Sequence, residues 1–189
     1  IRDLVRSRGL GDVYKRQIVA RIFGTVLILA GCAGFLYKWA EGEKARQRMA
    51  GEWIRLFVRW GYALEQEHVR LYDFLSFYET ADASMQAFLD EVCVCMRNHQ
   101  NPSGQKIWQD CLQKHKRELQ IGQEGWEILT SAAGAFYGES SAENLRCNEI
   151  CRKRMEKFLA ESRLEFFKKQ RVYLPVGMLT GVVMIILLV

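Results

Sequence analysis

The side chains with the most versatile chemistry in this 189-residue chain belong to six cysteines and three histidines. Four cysteines form two close pairs in sequence: Cys93 and Cys95, and Cys147 and Cys151. With His99 or His115, such pairs could in principle bind zinc, which prefers thiolate and imidazole ligands in a tetrahedral arrangement. On a helix, however, residues two apart point about 200° away from each other, so Cys93 and Cys95 cannot share a metal ion without unwinding. We therefore interpret the cysteines as thiols packed in a core, and we predict no metal site and no cofactor.

The histidines, His68, His99 and His115, stand in polar surroundings. No serine, cysteine or carboxylate lies at a spacing typical of a nucleophile and its base, so we interpret all three as surface residues. The sequence also contains no Gly-rich phosphate loop, no H-E-x-x-H and no G-x-S-x-G. We therefore predict that the protein is not an enzyme and has no catalytic residues.

Two groups of basic residues are better candidates for a functional surface. The first basic cluster consists of Lys114, Lys116 and Arg117, and the second basic cluster consists of Arg152, Lys153, Arg154 and Lys157. A run of charge is most often only a solvated helix face. The alternative is a docking surface for an acidic partner, or for anionic lipid close to a bilayer. These seven residues are candidate partner-binding residues.

Two apolar segments flank the region that contains these clusters. Residues 22–39 read IFGTVLILAGCAGFLYKW, and residues 172–189 read VYLPVGMLTGVVMIILLV without any charge. A membrane-spanning helix needs about 20 apolar residues, with a lower limit of about 17. We therefore predict transmembrane helices over residues 18–40 and 172–189, with Pro175 in the first turn of the second. A signal peptide is an alternative for the first segment, although its aromatic and basic end is typical of an interfacial anchor.

Residues 1–17, IRDLVRSRGLGDVYKRQ, lack an apolar period and resemble translated sequencing-adapter sequence. We interpret them as a non-native leader. They carry five Lys or Arg and two Asp, so without them the formal net charge falls from +5 to +2. A charge of that size does not indicate a nucleic-acid-binding protein.

Basic residues next to the two predicted spans indicate the orientation of the chain in the membrane. The outer side offers Arg21 alone, whereas the side of the intervening domain carries Lys38, Lys44, Arg46, Arg48, Arg163, Lys168, Lys169 and Arg171. Since Lys and Arg near span ends are enriched on the cytoplasmic side, we predict that the domain is cytoplasmic. Thiols without disulfides suit that reducing compartment.

The intervening domain, residues 41–171, is predicted to be a helical bundle. Its only proline is Pro102, and no segment shows the sustained alternation typical of strands. Apolar residues repeat instead with helical spacing, and we expect Trp108 and Trp126 to be buried. A final helix is expected to begin near Ser140 or Ser141 and to continue into the C-terminal span. The predicted fold class is all-α, with a helical-bundle domain between an N-terminal and a C-terminal transmembrane helix.

Three stretches of the C-terminal half bear a family resemblance. They are IWQDCLQ, GQEGWEILTSAAGAFYGESSAENLR and KKQRVYLPVGMLTGVVMIILLV. They resemble three parts of the stage III sporulation protein AB family of endospore-forming bacteria. The first stretch resembles the family's Trp-containing helix, and the second resembles its acidic and aromatic helix with the turn that follows. The third resembles the family's basic linker and terminal span. The resemblance covers nearly all of residues 18–189 and is closest over residues 105–189. Members usually have a proline-containing turn after the first long helix, whereas this chain has EQEHVR at residues 65–70.

The resemblance implies a membrane component of the channel-like complex between the mother cell and the engulfed forespore. Family members are similar to the F-type platform proteins of type II secretion and type IV pilus systems. The implied partners are a secretion-type ATPase, the stage III sporulation protein AA, and other membrane proteins of the same complex. The protein would then be a non-enzymatic adaptor in the mother-cell membrane that faces the forespore. An alternative is a membrane-anchored ligand-binding or sensor protein, which would need a polar-lined cavity.

Overall fold

The structure, a computed structural model, describes residues 6–67, 69–98 and 103–188. Side chains at positions 6–21, 67, 174, 184, 185, 187 and 188 lie outside that description. Within the described ranges the regular structure is entirely helical, which confirms the predicted all-α class. The helices are α1 (Arg6–Tyr62), which continues into a π-helical turn (Ala63–Glu67), α2 (Leu71–Phe77), α3 (Ala83–Arg97), α4 (Gly104–Lys114), α5 (Gly122–Ser131), α6 (Ala133–Tyr137) and α7 (Ser141–Leu188).

The chain divides into two compact units. The bundle unit is Glu43–Glu165, and the helix-pair unit combines Ile1–Gly42 with Phe166–Val189. The two long helices, α1 of 57 residues and α7 of 48 residues, each contribute to both units. The predicted boundaries of the leader, the spans and the domain stay predictions, and residues 1–5 of the leader lie outside the described residues.

Side-chain caps explain where two helices of the bundle unit begin. The Asp82 carboxylate accepts hydrogen bonds from the backbone N–H groups of Ser84 (2.9 Å) and Met85 (3.2 Å), which caps the N-terminus of α3. At the start of α7, the Ser140 hydroxyl accepts from the Glu143 N–H at 3.2 Å, as the sequence predicted. α1 gives way to the π-helical turn and then to α2 across the EQEHVR segment, in which position 68 lies outside the described residues.

Aromatic side chains from α1, α3, α4, α6 and α7 contribute to the core of the bundle unit. The fully buried members include Trp53, Phe57 and Trp60 of α1, as well as Phe88 of α3 and Trp108 of α4. The Trp108 ring lies 4.6 Å from the ring of Phe136 in a stacked arrangement and meets the Phe88 ring edge-on at 5.1 Å. Offset-stacked and edge-on pairs each contribute about 0.5–1.5 kcal/mol beyond the area they bury. Aromatic packing therefore helps to hold these helices together, within a core that also contains many aliphatic side chains.

Three polar side chains inside this core donate to backbone carbonyl oxygens. The indole N–H groups of Trp60 and Trp108 donate to the carbonyl oxygens of Ala135 and Leu129, each at 2.8 Å. The buried Asn148 amide of α7 donates to the Phe57 carbonyl of α1, also at 2.8 Å. Such bonds remove the cost of burying an unpaired donor, which is about 1–3 kcal/mol. They tie α1, α4 and α7 to defined positions on their neighbours.

In the helix-pair unit, the two chain segments pack antiparallel. Trp39 stacks on Phe166 with ring centroids 5.5 Å apart and meets the ring of Tyr173 edge-on at 5.1 Å. A Cβ placed on Gly177 would lie 3.0 Å from the Leu36 side chain, so glycine allows the two backbones to approach closely there. Small residues play this part in packed membrane helices.

Among the described residues, one helical stretch could cross a membrane by its length and composition. Ile22–Gln66 contains a window that is long and apolar enough to cross a bilayer, and none of that window is buried in the protein. The second predicted span, residues 172–189, is helical as far as Leu188 and stays a prediction as a membrane segment. One detail of it is wrong, because Pro175 lies in the interior of α7 and not in a first turn.

Candidate functional site

The first basic cluster lies at the end of α4 and in the turn that follows. The Lys114 ammonium forms an ion pair of 2.5 Å with the Glu91 carboxylate of α3. The Lys116 ammonium lies 5.0 Å from the ring centroid of Trp126, within the range of a cation–π contact. Arg117 is exposed and has no carboxylate partner within the described part of the chain. Trp126 is only half-buried beneath Lys116, so the prediction that it would be buried is wrong.

His115, within this stretch, is buried, contrary to the prediction of a surface histidine. Its Nε2 lies 2.7 Å from a Glu91 carboxylate oxygen, and its Nδ1 lies 2.8 Å from one of Glu118. Burial of His115 opposes its protonation, but the hydrogen bonds and charges of the two carboxylates outweigh burial and raise its pKa. The pKa of Glu91 is lowered, chiefly by the hydrogen bond from Lys114. The other two histidines, His68 and His99, lie outside the described residues.

The second basic cluster lies on α7, and most of its charges are already paired. Three of its residues form ion pairs with glutamates one helical turn away: Arg152 with Glu156 (2.7 Å), Lys153 with Glu149 (2.7 Å) and Lys157 with Glu161 (3.7 Å). Exposed pairs at this spacing stabilise a helix by about 0.3–0.5 kcal/mol each. The exception is Arg154, whose guanidinium donates to the Ser131 hydroxyl at 3.4 Å. Much of this cluster is therefore locally neutralised.

Helix α5 connects the two clusters. Lys116 covers Trp126, and Arg154 contacts Ser131, five residues further along the same helix and thus about 7.5 Å along its axis. Among the seven candidate residues, four are paired with carboxylates, and three have no carboxylate partner in the described ranges: Lys116, Arg117 and Arg154. We call these three the α5 cations. They are the part of the predicted surface whose charge is available to a partner.

The cysteine pairs that are close in sequence are not the pair that meets in space. Cys111 of α4 donates a thiol hydrogen bond to Cys95 of α3, with the sulfur atoms 3.8 Å apart, and all six cysteines are thiols. Glu91 joins them, since one carboxylate oxygen and the two sulfur atoms lie within 4.8 Å of one another. Burial raises the pKa of Cys111 to about 12 and also raises the pKa values of Cys93 and Cys151. Thiols of this kind stay protonated at neutral pH and are poor nucleophiles.

Comparison with known proteins adds a family assignment to this geometry. No curated protein and no solved structure matches the chain. The family model described as stage III sporulation protein AB matches residues 21–189, a range that takes in the whole bundle unit and the described part of the C-terminal segment. Since that match covers far more than half of the sequence, this chain belongs to the stage III sporulation protein AB family.

Proposed function

We propose that the protein is a non-enzymatic membrane adaptor of the channel complex between mother cell and forespore. In this role it docks a secretion-type ATPase of the stage III sporulation protein AA type, and it assembles with other membrane proteins of the same complex. The observation that carries the proposal is membership of a sporulation family, over residues 21–189. The ATPase supplies the catalysis, and the adaptor supplies a membrane-attached docking surface.

Membrane attachment through both long helices is part of this proposal. The first span is residues 18–40, which overlaps the helical stretch Ile22–Gln66 that contains a window apolar enough to cross a bilayer. The second span is residues 172–189, which carry no charge. The contact of Trp39 with Phe166 and Tyr173 supports a common boundary for both spans, because aromatic residues concentrate at the membrane interface. Basic residues predominate on the bundle side of that boundary, as expected for a domain facing the mother-cell cytoplasm.

The α5 cations are the docking face that we propose for the ATPase. A cation already paired with a carboxylate must exchange one partner for another, whereas Lys116, Arg117 and Arg154 can meet an acidic surface without losing an ion pair. Complementary charge of this kind speeds association and fixes orientation more than it raises affinity. Its effect is screened over about 8 Å at physiological ionic strength.

Charge reversal tests the docking face in full-length protein in native membranes. We expect Lys116→Glu combined with Arg117→Glu to reduce co-purification of the ATPase, most strongly at low salt, because like charges at an interface cost several kcal/mol. The control is Lys157→Glu, which is also exposed but removes a cation that is already paired with Glu161. Equal recruitment by the double variant and the control at both salt concentrations would mean that the α5 cations are only a solvated surface.

A further inference from the structure

Three side chains with metal-binding atoms, those of Glu91, Cys95 and Cys111, converge between α3 and α4, and a fourth, His115, contacts one of them. Glu91 and Cys95 lie four residues apart on α3, and Cys111 and His115 lie four residues apart at the end of α4. Residues at this spacing share one face of a helix. Each helix therefore carries two potential ligands, and the two helices together could supply the four ligands of a tetrahedral site.

The distances within the cluster suit a tetrahedral thiolate site. Two sulfur atoms bound at about 2.3 Å to a tetrahedral zinc ion lie about 3.8 Å apart. The sulfur atoms of Cys95 and Cys111 are 3.8 Å apart, and a Glu91 oxygen lies within 4.8 Å of both. His115 Nε2 is 2.7 Å from the Glu91 carboxylate, so this imidazole borders the same space.

We propose that Glu91, Cys95 and Cys111, with His115 as the fourth ligand, form a binding site for a thiophilic divalent metal ion, of which zinc is the best match. Two thiolates with one imidazole and one carboxylate are ligands that zinc accepts in tetrahedral geometry. The harder ions magnesium and calcium prefer all-oxygen sites. Cys93 takes no part, because it lies two residues from Cys95 and so on the opposite side of α3.

The surroundings of the cluster supply what such a site needs beyond its ligands. Glu118 lies 2.8 Å from Nδ1 of His115, so it can hold the ring with Nε2 directed at the metal, as carboxylates do behind many zinc-binding histidines. On binding, the two thiols release their protons to solvent, and so does Nε2 of His115, which gives up its hydrogen bond to Glu91 in exchange for the metal. A zinc ion with two thiolates and one carboxylate then carries a charge of −1, which the adjacent Lys114 ammonium balances. Glu91 and Cys95 are half-buried, which leaves a path for the ion to enter.

The bound ion would clamp α3 to α4. These helices supply Phe88 and Trp108 to the aromatic core, and α4 leads directly into the turn with Lys116 and Arg117. A metal ion bound here would hold the end of α4, where that turn begins, against α3. The site is nevertheless independent of the proposed docking of the ATPase, because it requires only residues of this chain.

The test is cobalt binding by the full-length chain, purified in detergent with a thiol-free reductant and stripped with a chelator. Tetrahedral cobalt with thiolate ligands gives sulfur-to-metal charge transfer in the near ultraviolet and intense d–d bands in the visible. We expect both signals to saturate at one cobalt ion per chain and to disappear on addition of zinc. Cys95→Ser should remove the charge-transfer band or greatly reduce it, whereas Cys93→Ser, two residues away on the same helix, should leave it unchanged.

Two further variants separate a built site from loose binding to thiols. Glu118→Gln should weaken cobalt binding about tenfold to hundredfold without changing the number of thiolate ligands. Cys111→Ser should behave like Cys95→Ser, and the far-ultraviolet circular dichroism of each variant confirms that the helices remain. The proposal is overturned if the wild-type chain gives no thiolate-to-cobalt band, or if Cys93→Ser loses as much as Cys95→Ser. Quantitative recovery of a disulfide between Cys95 and Cys111 from cells quenched with an alkylating reagent would also overturn it, in favour of a redox pair.

Discussion

Glu91 is the residue on which most of the charged and polar chemistry of the bundle unit converges. Its carboxylate contacts Lys114 and His115 and lies beside the thiols of Cys95 and Cys111. A half-buried carboxylate of this kind organises its neighbours because each contact is stronger where water is partly excluded. The sequence did not predict this centre, because Glu91 lies 24 residues from His115 and the two meet only through the packing of α3 on α4.

The Glu91–His115 pair predicts a pH dependence of stability in metal-free protein. The pKa of His115 is raised, so its contribution is complete below its ordinary pKa of about 6.5 and is lost as pH rises through the folded value. The pKa of Glu91 is lowered, so its contribution is present above an ordinary value of about 4.3 and is lost as pH falls through the folded value. Thermal unfolding should therefore show the largest contribution from this pair between those two ordinary values.

The variant that isolates this effect is Glu91→Gln, which removes a charge next to both His115 and Lys114. We expect its melting temperature to depend less on pH than that of the wild type, and the titration of His115 observed by NMR to move downward. The control is Glu124→Gln, because Glu124 of α5 is exposed. A parallel pH profile for Glu91→Gln and the wild type would exclude a stabilising charge interaction at this position.

The two tryptophans that the sequence placed in the core should differ sharply in their importance for stability. Trp108 is fully buried and donates to the Leu129 carbonyl, so Trp108→Ala should cost about 3–5 kcal/mol in free energy of unfolding. Trp126 is half-buried beneath Lys116, so we expect Trp126→Ala to cost less than about 2 kcal/mol. Chemical unfolding followed by circular dichroism compares the two, and similar losses would contradict this description of the core.

At the scale of helices, most of the architecture could be predicted from sequence because burial repeats with the helical period. The buried face of α1, the caps of α3 and α7, and the absence of strands in the described ranges follow from local patterns of this kind. The partners of each face could not be predicted, since they depend on contacts between distant segments. Cys95 meets Cys111, 16 residues away, and not Cys93, its neighbour in sequence.

Two glycines in the bundle part of α1 show how contacts between helices limit substitution. A Cβ on Gly51 would meet nothing within 4 Å, so Gly51→Ala should stabilise the helix by about 0.5–1 kcal/mol. A Cβ on Gly61 would lie 2.8 Å from the Asn148 amide nitrogen, which donates to the Phe57 carbonyl. Gly61→Ala should therefore displace Asn148 and cost about 1–3 kcal/mol.

Melting temperatures of these two alanine variants are a direct check, because both changes add the same methyl group to the same helix. We expect shifts of opposite sign relative to the wild type. If Gly61→Ala is also stabilising, the close approach of α1 and α7 around Asn148 is not a constraint on the fold.

At the scale of the whole molecule, the sequence predicted the family, which the match over residues 21–189 confirms. It also predicted a helical domain between apolar segments, of which the first contains a stretch able to cross a membrane. The residues of the two basic clusters were predicted, but most of the contacts that these residues make were not. Ion pairs along α7 are visible as one-turn spacings in the sequence, whereas the contacts of Lys116 and Arg154 with α5 depend on how the helices pack.

The proposed topology predicts protection of the bundle unit in intact cells. Protease added to the outside should leave it uncut, because its many Lys and Arg residues would face the cytoplasm. Permeabilised cells provide the control, since the same protease should then cleave the exposed basic residues. Cleavage within the bundle unit before permeabilisation would place it on the opposite side of the membrane.

Recruitment of a secretion-type ATPase to the membrane can be tested by fractionating sporulating cells with and without this protein. We expect the ATPase to sediment with membranes in the complete strain and to move to the soluble fraction when the protein is deleted. Restoring the wild-type chain should return the ATPase to the membrane, whereas the Lys116→Glu, Arg117→Glu chain should do so poorly. An ATPase that stays on the membrane in the deletion strain, in the same amount as in the complete strain, would contradict the adaptor role.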